Sequence, residues 1–306
     1  MVFNTHILPI QEGSSVHLPS RPPRTREASG LGSLVMNDRE HTPDAEAPAA
    51  EVHATALGFD RVAELYDGAR PEYPDAAREA IFARLGATGG RRLLDLGAGT
   101  GKLTIPLLRT GAHVVAVEPM PAMREQLQAS VPDDLRSDLE VVDASAESLP
   151  LDDGSLHGAT AAQAFHWFDP LPALAEVHRV LEPGAWFAIV HNRRDLTTGP
   201  QAALEDLLRP HREDTPSWVD TSWSDVLTDP PGFAPAELLT FPNVQRLGAE
   251  GFVGRVASVS FVARLPPPTQ REVLDATQLL FTMLERDGIV ELEYVTELRL
   301  LHRHET

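Results

Sequence analysis

Short apolar segments alternate with amphipathic ones along most of the chain, and this alternation predicts strands and helices in turn. Strands are predicted at residues 91–97, 113–118, 138–143, 156–162, 185–191, 238–244 and 290–301. Helices are predicted at residues 57–66, 74–85, 101–110, 121–129, 171–181 and 268–285, and the polar segment 199–228 also has helical character. Because strands and helices alternate, we expect an α/β fold with a parallel sheet and helices on both faces.

The last predicted strand has a different pattern. From residue 290 to 301, apolar side chains recur at every second position, and glutamates and an arginine lie among the others. This alternation is typical of an antiparallel strand with one face in solvent. We therefore expect a doubly wound, mainly parallel, seven-stranded sheet with a late antiparallel strand.

The first 52 residues stand apart from the rest of the chain. They are rich in Pro, Ser, Glu and Ala, and their apolar residues follow neither a helical nor a strand period. We expect residues 1–52 to form a disordered N-terminal tail, and Met36 is a candidate translation start that would remove residues 1–35. Residues 53–306 are predicted to form one domain, with 199–287 as a mostly helical lid or insertion.

Composition and charge exclude several kinds of protein. The chain has no cysteine, which excludes disulfides, thiolate metal sites and a cysteine nucleophile. Its formal net charge of -19 repels nucleic acids on average. No apolar run approaches the ~18 residues that a membrane helix needs, and the N-terminus lacks a secretory-signal pattern. We therefore expect a cytoplasmic protein that partners neither membranes nor nucleic acids.

A glycine-rich segment, LLDLGAGTGK, lies at the first predicted strand-to-helix turn, residues 93–102. Gly97, Gly99 and Gly101 can adopt backbone conformations that other residues avoid, and they let a ligand approach the main chain closely. The helix that follows directs free N–H groups toward the turn. This segment is therefore a candidate ligand-binding loop.

The spacing of the loop excludes two familiar phosphate-binding motifs. The dinucleotide motif G-x-G-x-x-G would require a glycine at Lys102 or Thr104, and the P-loop would require a glycine at Leu96 and Ser or Thr at Leu103. Glu118 ends the next predicted strand, where dinucleotide folds place an acid for the ribose hydroxyls. These features favour a nucleoside-containing ligand without a pyrophosphate.

Five segments together resemble the class I S-adenosylmethionine-dependent methyltransferases: LLDLGAGTGKLT, VVAVEPM, VVDASAESLP, AQAFHWFD and EVHRVLEPGAWFAIVHNRRD. The resemblance is closest to the small-molecule branch that includes ubiquinone-type and trans-aconitate-type enzymes, and it extends from about residue 58 to 302. It implies a Rossmann-like fold and S-adenosyl-L-methionine as cofactor. The implied activity is methyl transfer to an oxygen, nitrogen or carbon nucleophile of a small molecule.

The resemblance also implies which residues bind the methionine part of the cofactor. Asp95 and the backbone around Gly97, Gly99 and Gly101 would hold this part, and Gln163, at the end of the fourth strand, would lie near the sulfonium. At the other end of the cofactor, four residues have implied roles. Glu118 would bind the ribose hydroxyls, and the adenine would meet Met120, the Asp143 carboxylate and the Ala144 backbone N–H.

The segment FDRVAELYDGARPEYP, residues 59–74, matches positions that cap the site in the family. Tyr66 and Arg70 are the matching residues, and Arg70 is a candidate for the cofactor carboxylate because its fork fits that group. Core packing is an alternative role for Tyr66.

Methyl transfer needs alignment and exclusion of water, and it needs a base only if the nucleophile starts protonated. His166 is the candidate base, because histidine titrates near neutrality. It lies in the aromatic run Phe165–Phe168 with Trp167, a candidate substrate contact. The alternative is that this run only packs the pocket wall.

After the fifth strand, Arg193 or Arg194 could bind an acceptor carboxylate, or either could be a solvated surface charge. The tail residues 302–304, His-Arg-His, lack further ligands at recognisable spacing, so no metal site is predicted.

Nucleic acid is not an expected acceptor. Cytosine C5 methylation needs a cysteine nucleophile, and residues 162–165 read AQAF where amine-methylating DNA enzymes resemble one another in an Asn/Asp-Pro-Pro-aromatic motif. Segment 199–287 is predicted to cover the acceptor side, because inserted segments beside strand ends carry specificity. Two alternatives to a small-molecule methyltransferase are a cofactor sensor without catalysis and an NAD-dependent oxidoreductase.

Overall fold

The structure is a computed structural model that describes residues 70–197, 199–212 and 222–305. The predicted tail at residues 1–52, the predicted helix at 57–66 and the candidate residue Tyr66 lie outside the described residues.

Seven strands form a single sheet in the described part of the chain. In chain order they are β1 (Arg92–Leu96), β2 (His113–Val117), β3 (Leu139–Val142), β4 (Leu156–Ala162), β5 (Leu181–Arg194), β6 (Glu237–Leu247) and β7 (Val290–His302). Their spatial order is β3-β2-β1-β4-β5-β7-β6. The pairs from β3 to β5 are parallel, whereas β7 is antiparallel to both of its neighbours. The expected mainly parallel sheet with a late antiparallel strand is confirmed.

Helices connect the strands and cover the sheet. They are α1 (Asp75–Leu85), α2 (Thr104–Leu108), α3 (Pro121–Ser130), α4 (Pro170–Val180), α5 (Gly199–Leu208), α6 (Ser222–Asp225), α7 (Ala249–Ala257), α8 (Ser260–Ala263) and α9 (Pro267–Leu284). Most lie close to their predicted positions, but α2 starts three residues later than predicted. The cause is the preceding loop, where Gly101 has a φ of 93° that a helix cannot contain.

Alternate residues of the central strands point into two separate apolar cores. Leu93 packs in one core with Ile81 of α1, and Leu94 packs in the other with Leu174 of α4. This division follows from the two-residue period of a strand whose two faces are both covered. A third core, around Phe252 and Phe281, joins α7 and α9 to the first half of β7.

The burial of β7 confirms its predicted alternation. The side chains predicted to face the core are all buried: Val290, Leu292, Tyr294, Thr296, Leu298 and Leu300. Because β7 runs against β5, its first residues lie at the edge where the parallel strands end, and Tyr294 lies opposite Arg194.

Within the described residues, none of the helices combines the length and apolar character needed to cross a bilayer.

Candidate functional site

A cavity of about 250 Å³ lies at the carboxyl edge of the parallel strands. Ten of the residues that the sequence singled out line it: Arg70, Gly97, Gly99, Glu118, Met120, Ala144, Gln163, His166, Trp167 and Arg194. Four others are not among its lining residues: Asp95, Gly101, Asp143 and Arg193. The strand order therefore brings most of the predicted site together.

The loop after β1 (residues 97–101, the glycine loop) needs glycine at three positions, for different structural reasons. All three have positive φ, at 68° for Gly97, 57° for Gly99 and 93° for Gly101. A Cβ at Gly97 would lie 2.6 Å from the Ala164 side chain, and one at Gly101 would overlap Leu127. A Cβ at Gly99 would meet no atom within 4 Å. Gly97 and Gly101 thus allow close packing, whereas Gly99 keeps a face of the loop open to a ligand.

Asp95 lies beneath the glycine loop and is 1% exposed. Its carboxylate accepts hydrogen bonds from the hydroxyls of Thr104, at 2.6 Å, and Thr160, at 2.8 Å. Burial raises the pKa of Asp95, and the two threonine hydrogen bonds oppose that rise. Asp95 ties the end of β1 to β4 and to the start of α2, which supports the loop from below. It does not line the cavity, and its contact with the methionine part stays a prediction.

Glu118 follows β2 and faces the cavity with a buried carboxylate. One oxygen accepts the backbone N–H of Gly99 at 2.9 Å, and the other accepts that of Met120 at 2.9 Å. Burial raises the pKa of Glu118, and these two hydrogen bonds, with the nearby charge of Arg124, oppose the rise. Each carboxylate oxygen has a second lone pair, so Glu118 can also accept from the hydroxyls of a bound ribose.

Asp143 lies at the rim of the cavity, next to the lining residue Ala144. Its carboxylate accepts from Arg124 at 2.7 Å, and its side chain is 68% exposed. Arg124 also donates to the backbone oxygen of Glu118 at 2.8 Å, and so connects the ends of β2 and β3. Asp143 thus lies beside the cavity wall and not in it, and its contact with the adenine amino group stays a prediction.

Gln163, directly after β4, has a left-handed backbone with a φ of 55°. Its backbone N–H donates to Val190 at 2.8 Å, and its side chain donates to the Asn192 backbone oxygen at 3.4 Å. A left-handed conformation costs a residue with a side chain about 1–2 kcal/mol, and such strain clusters at functional sites. The backbone thus places the Gln163 side chain on the cavity wall at the predicted point between β1 and β5.

His166 lies close to a second histidine that the sequence analysis did not single out. Its Nδ1 is 3.4 Å from Nε2 of His191, and the His191 ring lies against Trp223 with 4.8 Å between centroids. Burial lowers the pKa of His166 to about 4, aided by the charge of Arg70, and burial also holds the pKa of His191 well below its usual range. The premise that His166 titrates near neutrality is therefore wrong, and the ring is uncharged at pH 7.

The two arginines at the end of β5 point to opposite faces of the sheet. Arg193 is exposed and donates to Glu297 at 2.7 Å, and it does not line the cavity, so the structure does not bring it together with the other candidate substrate residues. Arg194 lines the cavity, and its buried guanidinium pairs with Glu205 at 2.9 Å. Successive residues of a strand alternate in direction, so only one of the pair could reach the cavity.

Several cavity residues come from the C-terminal third, where the sequence analysis named none. Arg212, Arg255 and Tyr294 line the same region as Arg194, and the α7–α8 connection contributes Val259. No local motif marks them, because they lie on separate elements and meet only in the folded chain. The alternation of β7 indicated that Tyr294 faces inward, and the prediction that segment 199–287 covers the acceptor side gave the region of the other three but named none of them.

The N-terminal edge of the described chain closes another side of the cavity. Arg70 donates to the Ser258 backbone oxygen at 2.9 Å, and Lys102 pairs with Glu72 at 2.6 Å. Both cationic side chains line the cavity near the glycine loop. Their position is consistent with the implied role of Arg70 toward the cofactor carboxylate. In the described residues, no group of three or more side chains is placed to hold a metal ion.

Comparisons with known proteins agree with this geometry. The family model of the methyltransferase domain matches residues 94–189, which include the glycine loop and Glu118. An uncharacterized methyltransferase of Mycobacterium tuberculosis is 36% identical over 244 residues, 79% of this chain and 93% of the relative. An uncharacterized methyltransferase-like protein of Schizosaccharomyces pombe is 32% identical over 210 residues, 68% of this chain and 79% of the relative.

A solved structure has the same fold. The structure of an Anaeromyxobacter dehalogenans protein, assigned as a type II methyltransferase, superposes with a TM-score of 0.57 at 25% identity, over 77% of this chain and 98% of that one. The match covers nearly all of the relative. The chain therefore belongs to the class I S-adenosylmethionine-dependent methyltransferases.

Proposed function

We propose that this methyltransferase acts on a small molecule, which binds in the part of the cavity over the ends of β4, β5 and β7. The observation that carries this proposal is that one cavity is lined both by Gly99 and Glu118 and by Arg194 and Tyr294. Neighbouring strands are about 4.8 Å apart, so the end of β5 lies roughly 10 Å from the glycine loop across β4. That span suits a cofactor and a small acceptor side by side.

The residues on the β1–β3 side fit S-adenosylmethionine. Gly99 leaves open space beside the loop backbone, and the buried carboxylate of Glu118 faces that space. The apolar side chains of Met120 and Met123 line the wall beyond it, where a flat aromatic base can pack. Arg70 and Lys102 supply positive charge for a carboxylate. When bound, the cofactor supplies a methyl group attached to a positively charged sulfur.

The chain's own contribution to methyl transfer is alignment and exclusion of water. Phe165 is fully buried and packs edge-on against Phe168, with 5.7 Å between ring centroids. His166 and Trp167 complete this wall of the cavity. Because the pKa of His166 is about 4, its ring accepts a proton only weakly at pH 7. The site therefore suits an acceptor atom that is nucleophilic without help from a strong base.

The proposal is tested by measuring how the transferred methyl label is distributed between small molecules and macromolecules. The protein is incubated with methyl-labelled S-adenosylmethionine and a cell extract split by ultrafiltration into metabolites and macromolecules. We expect label in the metabolite fraction, and we expect loss of that label with the Glu118→Ala variant. Label confined to protein or nucleic acid would contradict a small-molecule acceptor. Binding of S-adenosylhomocysteine without transfer to either fraction would instead favour a cofactor sensor.

A further inference from the structure

Three arginines line the acceptor half of the cavity: Arg194, Arg212 and Arg255, here called the arginine cluster. Arg194 and Arg212 both pair with one carboxylate, that of Glu205, at 2.9 and 2.6 Å. The cluster and Glu205 together thus carry three positive charges and one negative charge. This excess is notable in a chain with a formal net charge of -19.

Arg255 is the member whose charge is least compensated. It is 5% exposed, and its Nε lies 3.4 Å from the hydroxyl of Tyr294. Among the described residues, no carboxylate lies within ion-pair distance of Arg255, and burial of an uncompensated charge is unfavourable. A guanidinium kept in such a position provides a binding point for an anion from outside the chain.

The neighbours of Arg255 respond to this excess of positive charge. Burial, together with the nearby charge of Arg255, lowers the pKa of Arg194 to about 10, so Arg194 stays charged at pH 7. Burial acts to raise the pKa of Tyr294, but Arg255 and Arg194 outweigh it and lower that pKa. Both shifts would be relieved by a bound anion.

We propose that the methyl acceptor carries a carboxylate group, which binds to Arg255 and Arg194 beside the hydroxyl of Tyr294. This inference rests on the proposed function and names the chemical class of its substrate as organic acids. The planar fork of a guanidinium matches the two oxygens of a carboxylate. Arg212 holds Glu205, which leaves Arg255 as the group directed to the ligand.

The position of the cluster separates it from the carboxylate of the cofactor. Arg194 and Tyr294 are cross-strand partners on β5 and β7, whereas the glycine loop follows β1, with β4 between. In the proposed function, the carboxylate at the methionine end of the cofactor would meet Arg70 and Lys102 instead. Substitution of Arg255 is therefore expected to leave cofactor affinity unchanged, and this provides an internal control.

The test is calorimetry on the protein saturated with S-adenosylhomocysteine. The probes are benzoate, phenylacetate, hexanoate and glutarate, each compared with its amide, together with phenyl phosphate. We expect at least one acid to bind and to bind at least tenfold more tightly than its amide. Binding of no acid, equal binding of acids and amides, or preference for phenyl phosphate over the carboxylates would overturn the proposal.

Variants locate the binding in the cluster. Arg255→Gln removes no partner from any described carboxylate. It should lower the affinity for the acid at least tenfold and leave the affinity for S-adenosylhomocysteine unchanged. Arg255→Lys keeps the charge but not the planar fork, so it should lose part of the affinity for the acid. This variant tests the site if the glutamine variant fails to fold. The control is Arg193→Gln, on the outer face, which should bind the acid normally. Unchanged acid binding in both Arg255 variants would refute the site, whereas failure of the wild type to bind S-adenosylhomocysteine would refute the proposed function instead.

Discussion

The carboxylate of Glu118 accepts the backbone N–H of Gly99 at 2.9 Å, and so joins the end of β2 to the glycine loop after β1. The same carboxylate faces the cavity where the ribose of the cofactor is expected. Glu118 therefore shapes the loop, and we expect it to have a second task in binding the ribose of the cofactor. The second task depends on the first, because Gly99 provides the open face of the loop.

The first prediction concerns Glu118→Ala. The substitution removes the acceptor for the ribose hydroxyls and releases the Gly99 N–H, so it should weaken S-adenosylhomocysteine binding by about 2–4 kcal/mol, or about 30- to 700-fold. Equilibrium dialysis with labelled ligand measures this. Glu140→Ala, on the exposed end of an ion pair with Arg92, is the matched control and should bind normally. An unchanged dissociation constant in Glu118→Ala would refute the role.

The second prediction separates two glycines of the loop. Gly97→Ala combines a positive φ with a Cβ at 2.6 Å from Ala164, so we expect a loss of about 2–5 kcal/mol in the free energy of unfolding. Gly99→Ala has the positive φ but open space, so its stability loss should be only about 1–2 kcal/mol. Its Cβ points into the ligand's space, so its affinity for S-adenosylhomocysteine should fall at least tenfold. Urea unfolding and calorimetry measure the two effects, and equal stability losses would contradict this assignment.

The third prediction concerns Asp95, whose carboxylate holds Thr104 and Thr160 under the loop. Asp95→Ala leaves both buried hydroxyls without this acceptor, so the free energy of unfolding should fall by about 2–4 kcal/mol. Denaturant unfolding measures the change. Asp133→Ala, with a side chain that is 93% exposed, is the control and should be neutral. A neutral effect at Asp95 would show that the carboxylate does not support the loop.

The fourth prediction is a pH dependence of stability from His166. The unfolded chain binds a proton at this histidine near pH 6.5, whereas the folded chain does so only near pH 4. Its stabilising contribution is therefore complete above about pH 6.5 and is lost as the pH falls toward 4, by about 2–3 kcal/mol. Unfolding of the wild type and of His166→Asn between pH 4 and 7 should show a flatter profile for the variant.

A nuclear magnetic resonance titration gives an independent check of His166. Its ring resonance should keep its neutral-form shift down to about pH 5. A midpoint for His166 between pH 6 and 7 would contradict its burial and restore it as a candidate base.

The sequence predicts the fold well because the fold depends on local patterns. The strand at residues 156–162 has the predicted bounds, and the buried face of β7 consists of the residues that its alternation indicated. Predictions fail where a local pattern cannot report a distant packing partner. The helix after the glycine loop starts three residues later than predicted, since the turn at Gly101, which packs closely against Leu127, occupies residues assigned to it.

Only those site residues that belong to recognisable sequence motifs were predictable. Gly99, Glu118 and Gln163 follow parallel strands, so their meeting at one edge follows from the topology. Arg255 has no such marker, since it lies on a helix in the C-terminal third and reaches the cavity only through tertiary packing. The pKa of His166 likewise depends on burial, which neither its residue type nor its neighbours in the sequence disclose.

The most direct test of the account is a parallel calorimetric titration of the wild-type protein with S-adenosylhomocysteine and with NAD. The glycine loop lacks the spacing that a pyrophosphate needs, whereas Glu118 and the open face at Gly99 fit an adenosine ribose. We predict that S-adenosylhomocysteine binds one molecule per chain, that NAD gives no binding heat, and that Glu118→Ala weakens the first titration. Binding of NAD in place of S-adenosylhomocysteine would contradict the account.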